Sequence, residues 1–183
     1  TTNSGHVVTS LTVNGDGMTN AAGGTVDGNT TVTAGTLEND GTLGNSTADT
    51  VDVQAGAGLN NNAGAGVSGT VTNAGTTVND GTVNAATNSA GTFTNDGDVT
   101  TTVGVTGGTF ANTATGDVGG TLTNNGGTVT NAAGGELQAV SNISGTTTSP
   151  GSVVTTVGVT GGTFANTATG DVGGTLTNNG GTV

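Results

Sequence analysis

Residues 101–129 recur, letter for letter, as residues 155–183, at an offset of 54. A verbatim internal repeat of this length constrains the fold more than any single motif does. Each copy must bury its apolar side chains against neighbouring copies, which is how stacked repeat architectures are built. Val183 falls inside the second copy, so the expectation is a segment of a longer array. On that expectation the next residues would read Thr-Asn-Ala-Ala-Gly-Gly-Glu-Leu, copying residues 130–137. The first residues, Thr-Thr, carry no secretory leader and fit a mature or excised piece.

Weaker copies surround the verbatim one. Phe110 through Val129 aligns with Leu59 through Val78, with apolar residues spaced 8, 4 and 7 apart in both. Met18 through Val26 aligns with Val129 through Leu137. Apolar-x-apolar doublets precede these blocks at Leu11/Val13, Val51/Val53, Val103/Val105 and Val157/Val159. Equivalent apolar positions recur at 19 residues, from 18 to 37, from 59 to 78 and from 110 to 129. Short runs such as Gly-Thr-Val-Thr-Asn alternate apolar and polar residues, as half-buried strands do. They end in Asn-x-Gly or Asp-Gly turn formers, which leaves no room for helices.

The sequence therefore predicts an all-β parallel β-helix, or β-solenoid, with about 19 residues per coil. Nine or ten coils at the ~4.8 Å strand spacing would make a rod on the order of 45 Å long. Residues 1–183 are expected to form one solenoid segment. Residues 139–154, which hold the only proline, Pro150, break the rhythm and are expected to form a long irregular loop between coils.

Composition narrows both core and function. Three Phe, one Met and no Trp or Tyr suit a thin core drawn out along an axis. β-branched Val and Thr between Gly, Asn and Asp turn formers argue for strands and against disorder. There is no Lys or Arg, and the net charge is −12. Binding nucleic acid through its phosphates needs cations, so that class is excluded, as is adsorption to anionic lipid. No apolar run is long enough for a membrane span. The absence of Cys removes disulfides and thiolate metal sites. A chain with nothing for trypsin-like proteases to cut points to an extracellular setting.

The commonest motif is apolar-x-Asn, and stacked coils would bring its amides together as a hydrogen-bonded ladder. The candidate rungs are Asn20, Asn39, Asn61, Asn73, Asn95, Asn112, Asn124, Asn131, Asn166 and Asn178. Leu43/Asn45 carries the same motif. Asp40, Asp80, Asp96 and Asp98 sit in turns and could collect calcium adventitiously. No cofactor is expected, and no catalytic residue stands out. Paired carboxylates for glycoside hydrolysis lack aromatic residues to line a sugar subsite. Polysaccharide-lyase chemistry and phosphate loops lack their cation. His6 is alone. Thr-x-Thr triplets at 31–33, 70–72, 92–94, 121–123, 128–130 and 175–177 would place both threonines outward. Such an array resembles the ice-binding face of solenoid antifreeze proteins.

Strings such as GTLENDGTLGN (35–45), GTVTNAGTTVNDGTVN (69–84) and GTLTNNGGTVTNAAGGEL (120–137) resemble the repetitive passengers of bacterial autotransporter adhesins and filamentous-haemagglutinin-like proteins. The resemblance implies a right-handed parallel β-helix, export to the bacterial cell surface, and a role in adhesion or biofilm matrix. The missing Lys, Arg and Tyr fit a stalk better than a binding tip. The expected function is a non-enzymatic segment of an extracellular fibre, continued by the same chain or by head-to-tail stacking of copies. The alternative is a binding module, either an adhesin face or an ice-binding one.

Overall fold

A computed structural model describes residues 1–183. It contains twenty-four strands and no helix. Every strand pairing is parallel, which requires the chain to circle back to the same edge before each new pair forms. Three strands per circuit make three flat faces, and about 10 circuits of roughly 18 residues stack into a β-solenoid.

The first face contains Met18–Asn20, Thr36–Asn39, Gly58–Asn61, Thr76–Asn79, Thr92–Asn95, Thr109–Asn112, residues 128–131 and 146–149, and Thr163–Asn166. The second is built from two-residue pairings such as Thr25–Val26, Thr42–Leu43, Asp98–Val99 and Ser152–Val153. The third contains Leu11–Val13, Thr30–Val32, Thr50–Val53, residues 70–73, Val103–Val105, residues 121–124 and Val157–Val159. All four apolar doublets named above lie on this face.

Alternation decides which side chains enter the core. Each coil sends in five: two from the first face, one from the second and two from the third. In the coil of Phe110 these are Phe110, Asn112, Val118, Leu122 and Asn124, all buried. Twenty-seven buried apolar residues form one continuous cluster from Val13 to Phe164. The sparse apolar inventory suffices because a thin rod needs only two to four such residues per rung.

Coil length is not constant. Successive rungs of the first face, from Asn3 to Ser149, are separated by 17, 19, 22, 18, 16, 17, 19 and 18 residues. The corners absorb the differences. The longest coil carries the corner between Leu43 and Thr50, where the Asp49 carboxylate accepts from the Asn45 and Ser46 amides at 2.9 Å each. The shortest passes from Val83 to Ala85 through Asn84 alone, and the Thr101 hydroxyl donates to the Asn84 carbonyl at 2.6 Å.

This variation corrects two expectations. Leu59 pairs with Thr77, not Val78, so the proposed 59-to-78 equivalence is off by one. A one-residue slip exchanges the faces of a strand; Thr77 is buried and Val78 points outward. The 18-to-37 and 110-to-129 equivalences do pair. Residues 139–154 are also not an irregular loop. Glu136–Ser149 is one strand that bends round the rod, paired with residues 117–130 below through three register shifts and with Val157–Val159 and Thr163–Asn166 above. Pro150 stands at the next corner, where a missing N–H costs no ladder bond.

The two verbatim copies occupy equivalent places. Val103–Val105 and Val157–Val159 are on the third face, and Phe110 and Phe164 are on the first. The offset is three coils, since the rungs Asn112, Asn131, Ser149 and Asn166 lie one circuit apart.

Two buried threonines replace apolar residues in the first-face core, and both hydroxyls are used. Thr77 donates to Asn73 at 3.0 Å, and Thr147 donates to Asn142 at 2.9 Å. Thr30, between Leu11 and Val51 on the third face, is buried with no partner for its hydroxyl. Thr30→Val keeps the shape and removes the orphan group, so a gain of about 1 kcal/mol is expected. Thr77→Val should lose about as much. Denaturation midpoints of the two variants, moving in opposite directions, check the pair.

Candidate functional site

The most extensive polar constellation is internal. Along the first-face corner, the side-chain amide of each asparagine donates to the carboxamide oxygen one coil on. The bonds run Asn3 to Asn20, Asn20 to Asn39, Asn39 to Asn61, Asn61 to Asn79, Asn79 to Asn95, Asn95 to Asn112 and Asn112 to Asn131. Their lengths lie between 2.7 and 2.9 Å. Asn131 then donates to the Ser149 hydroxyl at 3.1 Å. Each amide also reaches a corner carbonyl of the following coil, and Asn20, Asn39, Asn95 and Asn112 reach one of their own coil as well; Asn112 bonds Gly116 at 2.9 Å and Glu136 at 3.1 Å. The ladder thus satisfies both itself and backbone groups that turn away from the sheets.

Six of the sequence-derived rungs belong here: Asn20, Asn39, Asn61, Asn95, Asn112 and Asn131. Asn166 occupies the same column but is exposed, and its amide bonds only Gly170, at 3.2 Å. Asn73, Asn124 and Asn178 lie elsewhere, at the end of the third-face strands. There one column runs Val13, Val32, Val53, Asn73, Asn88, Val105, Asn124, Asn142 and Val159. Only Asn73 and Asn88 are directly linked, at 2.7 Å. Asn124 and Asn142 are bridged by the buried Thr147 hydroxyl. Asn45 joins no ladder and sits exposed in the long corner.

Sequence reasoning missed Asn3, Asn79, Asn88 and Asn142. In Thr77-Val78-Asn79 the core residue is a threonine, so the apolar-x-Asn motif is broken. Val140-Ser-Asn142 keeps the motif, but lies in the stretch expected to be irregular. Regular spacing to Asn124 along the third face was the signal available there.

Acidic residues are sorted by face. Beyond Asp52, Asp80 and Asp96 stand just after ladder asparagines at the corner between the first and second faces, on adjacent rungs. Asp98, Asp117, Glu136 and Asp171 point outward on the second face, the first three on consecutive rungs. Of the calcium candidates, Asp40 accepts from Asn62 at 2.7 Å and Asp96 from the Thr113 hydroxyl. Asp80 and Asp98 lie on that corner and that face, and no group of three or more His, Asp or Glu side chains converges. His6 is exposed and pairs with Asp27 at 2.7 Å. The hollows are open surface depressions; one of about 380 Å³ on the third face lies over Ala85, Val103 and Gly104 between rows of threonine.

The outward side of the first face has the opposite character. Thr76, Thr92, Thr109, Thr128, Thr146, Thr163 and Thr182 pair in unbroken register on seven consecutive rungs. Beside them run Thr94, Ala111, Thr130, Thr148 and Ala165. No charged side chain interrupts this surface after Glu38. The Thr-x-Thr triplets are divided between faces: 92–94 and 128–130 are here, while 70–72, 121–123 and 175–177 are on the third face.

Comparison of the chain with family models, curated proteins and solved structures finds no match. No helix is long and apolar enough to cross a membrane.

Proposed function

We propose that this chain is a structural, non-enzymatic segment of an extracellular fibre or matrix protein, of the kind found on bacterial cell surfaces. Its coils continue into further coils of the same chain or stack head to tail with a second copy. The observation that carries this reading is the asparagine ladder, which runs coil after coil without a break from Asn3 to Ser149. Every rung is one translation along the axis, so one coil can dock on another by the same three strand pairings. Such a rod resists bending because deformation must break main-chain and side-chain bonds together. Its acidic second face keeps a neutral β-surface soluble, and the lack of Lys and Arg suits exposure to proteases. Electron microscopy of the purified chain at high concentration should show rods joined lengthwise. Short, dispersed particles at every concentration would overturn head-to-tail stacking.

One observation favours a second reading, a binding face for ordered water. The first-face threonines recur every ~4.8 Å along the axis, and the two rows stand ~6.7 Å apart across the strands. This is a flat, uncharged lattice of hydroxyl and methyl groups. Ice grown in the presence of the protein would then be faceted, and Thr128→Tyr would abolish the faceting without altering the circular dichroism spectrum. Unfaceted crystals with the unmodified chain would remove this reading and leave the structural one.

A further inference from the structure

The chain holds its buried and exposed asparagines in chemically different states. Deamidation of asparagine needs the backbone nitrogen of the following residue to lose its proton and attack Cγ. For the buried ladder, both reactants are tied up. The carboxamides are hydrogen-bonded to one another, and the following nitrogens donate to the preceding coil. Asp40 N bonds the Asn20 carbonyl at 2.8 Å, Asp96 N bonds Asn79 at 2.8 Å and Ala132 N bonds Asn112 at 2.8 Å. No ladder asparagine is followed by glycine.

Asn14-Gly15, Asn125-Gly126 and Asn179-Gly180 are the three Asn-Gly peptides of the chain. All three asparagines are exposed and outside the ladder. Their glycines share one backbone state, with φ of 125°, 129° and 145°, and carry no Cβ to hinder the attacking nitrogen. Gly15 N is held only at 3.3 Å by Ala34 and Gly180 N at 3.2 Å by the Asn178 side chain. At Asn125 the strand register shifts on both sides, leaving a single pairing with Ser144, whose exposed hydroxyl donates to the Asn125 carboxamide oxygen at 3.1 Å and leaves Nδ2, the leaving group, unbonded.

We propose that Asn125 is a self-modification site, with Asn14 and Asn179 as its counterparts in other coils. Gly126 N forms a bond to Cγ of Asn125 and Nδ2 leaves as ammonia, closing a succinimide. Water then opens either ring carbonyl, giving aspartate or isoaspartate. The net change is water in and ammonia out. The product places a negative charge between the first and third faces, where this part of the rod has none. Coils of 16 to 22 residues already coexist in the stack, so a corner can take the extra backbone atom of isoaspartate without breaking the ladder. The modification therefore marks the age of a long-lived rod and leaves its fold intact.

The test is storage of the folded protein in warm, mildly alkaline buffer beside a sample unfolded in guanidinium. Top-down mass spectrometry and labelling by an isoaspartyl methyltransferase then locate the product. In the folded protein, conversion is expected at Asn125, Asn14 and Asn179, with the ladder asparagines at least about tenfold slower than in the unfolded sample. Asn125→Gln should lose the internal label with an unchanged circular dichroism spectrum. Asn125 remaining an amide in the folded protein after conversion in the unfolded one would overturn the proposal. Ladder asparagines converting at the same rate folded and unfolded would overturn it equally.

Discussion

Asn95→Ala is expected to destabilise the rod by about 2–4 kcal/mol. Asn95 is buried and accepts from Asn79 at 2.8 Å. Its own amide donates to Asn112 at 2.8 Å, to the Gly97 carbonyl at 3.0 Å and to the Asp117 carbonyl at 3.1 Å. Alanine removes all four bonds, leaving the buried Asn79 amide and Asn112 oxygen without this partner and two half-buried backbone carbonyls without this donor. An unpaired buried group costs about 1–3 kcal/mol, so losses at several groups outweigh the apolar gain of a methyl. Asn60→Ala is the control. Asn60 is the neighbouring residue type on the outer side of the same face, bonded to Glu38 at 2.7 Å, and its loss should stay within about 0.5 kcal/mol. Denaturant midpoints measure both. Hydrogen exchange should show the Asn95→Ala weakness concentrated in the coils above and below, since solenoid stability is a sum of nearest-neighbour terms.

Phe110→Ala is expected to cost about 3–5 kcal/mol. Phe110 is fully buried, packs against Phe93 at 5.4 Å between ring centroids, and pairs with Val129 on the other side. The price of truncation depends on how far the surroundings can collapse into the space left. Here they can collapse little, because strands on either side are pinned at the sheet spacing by main-chain bonds and by the ladder. Phe110→Leu should cost only about 1 kcal/mol. Leu37 and Leu59 already occupy this row in other coils, so the site accepts that shape. Calorimetric or denaturant unfolding of the two variants gives the comparison, and a small loss for Phe110→Ala would mean a softer core than the register implies.

Much of the fold was legible because its cause is local. The doublets Leu11/Val13 and Val103/Val105 alternate with polar residues, which reads as strand, and the third face is where they lie. The apolar-x-Asn motif read as a ladder for the same reason, since apolar and amide positions two apart share the inner side. What stayed hidden depends on the corners. A mean period of 19 conceals coils of 16 and 22 residues, and an error of one residue turns Val78 inward on paper when Thr77 is the buried one. Buried Thr77 and Thr147 look like surface threonines until the partners Asn73 and Asn142 are seen beside them. The threonine row from Thr76 to Thr182 was legible only in part, through the triplets at 92–94 and 128–130; its other members align in space but not at one spacing in sequence. That Asp98, Asp117, Glu136 and Asp171 share one face followed only from the register.

That register is the central claim, and the chain has no Cys of its own to confuse its test. Asn60 and Val78 pair on adjacent rungs with both side chains outward. Neighbouring parallel strands bring such Cα atoms to ~4.8 Å, within the disulfide range of about 4.4–6.8 Å. The double variant Asn60→Cys, Val78→Cys should therefore lose both free thiols on mild oxidation, read as the mass after alkylation, while Asn60→Cys, Thr94→Cys, two rungs apart, should keep them. Thiols that persist in the first pair, or a bridge that forms as readily in the second, would contradict the stack described for this chain.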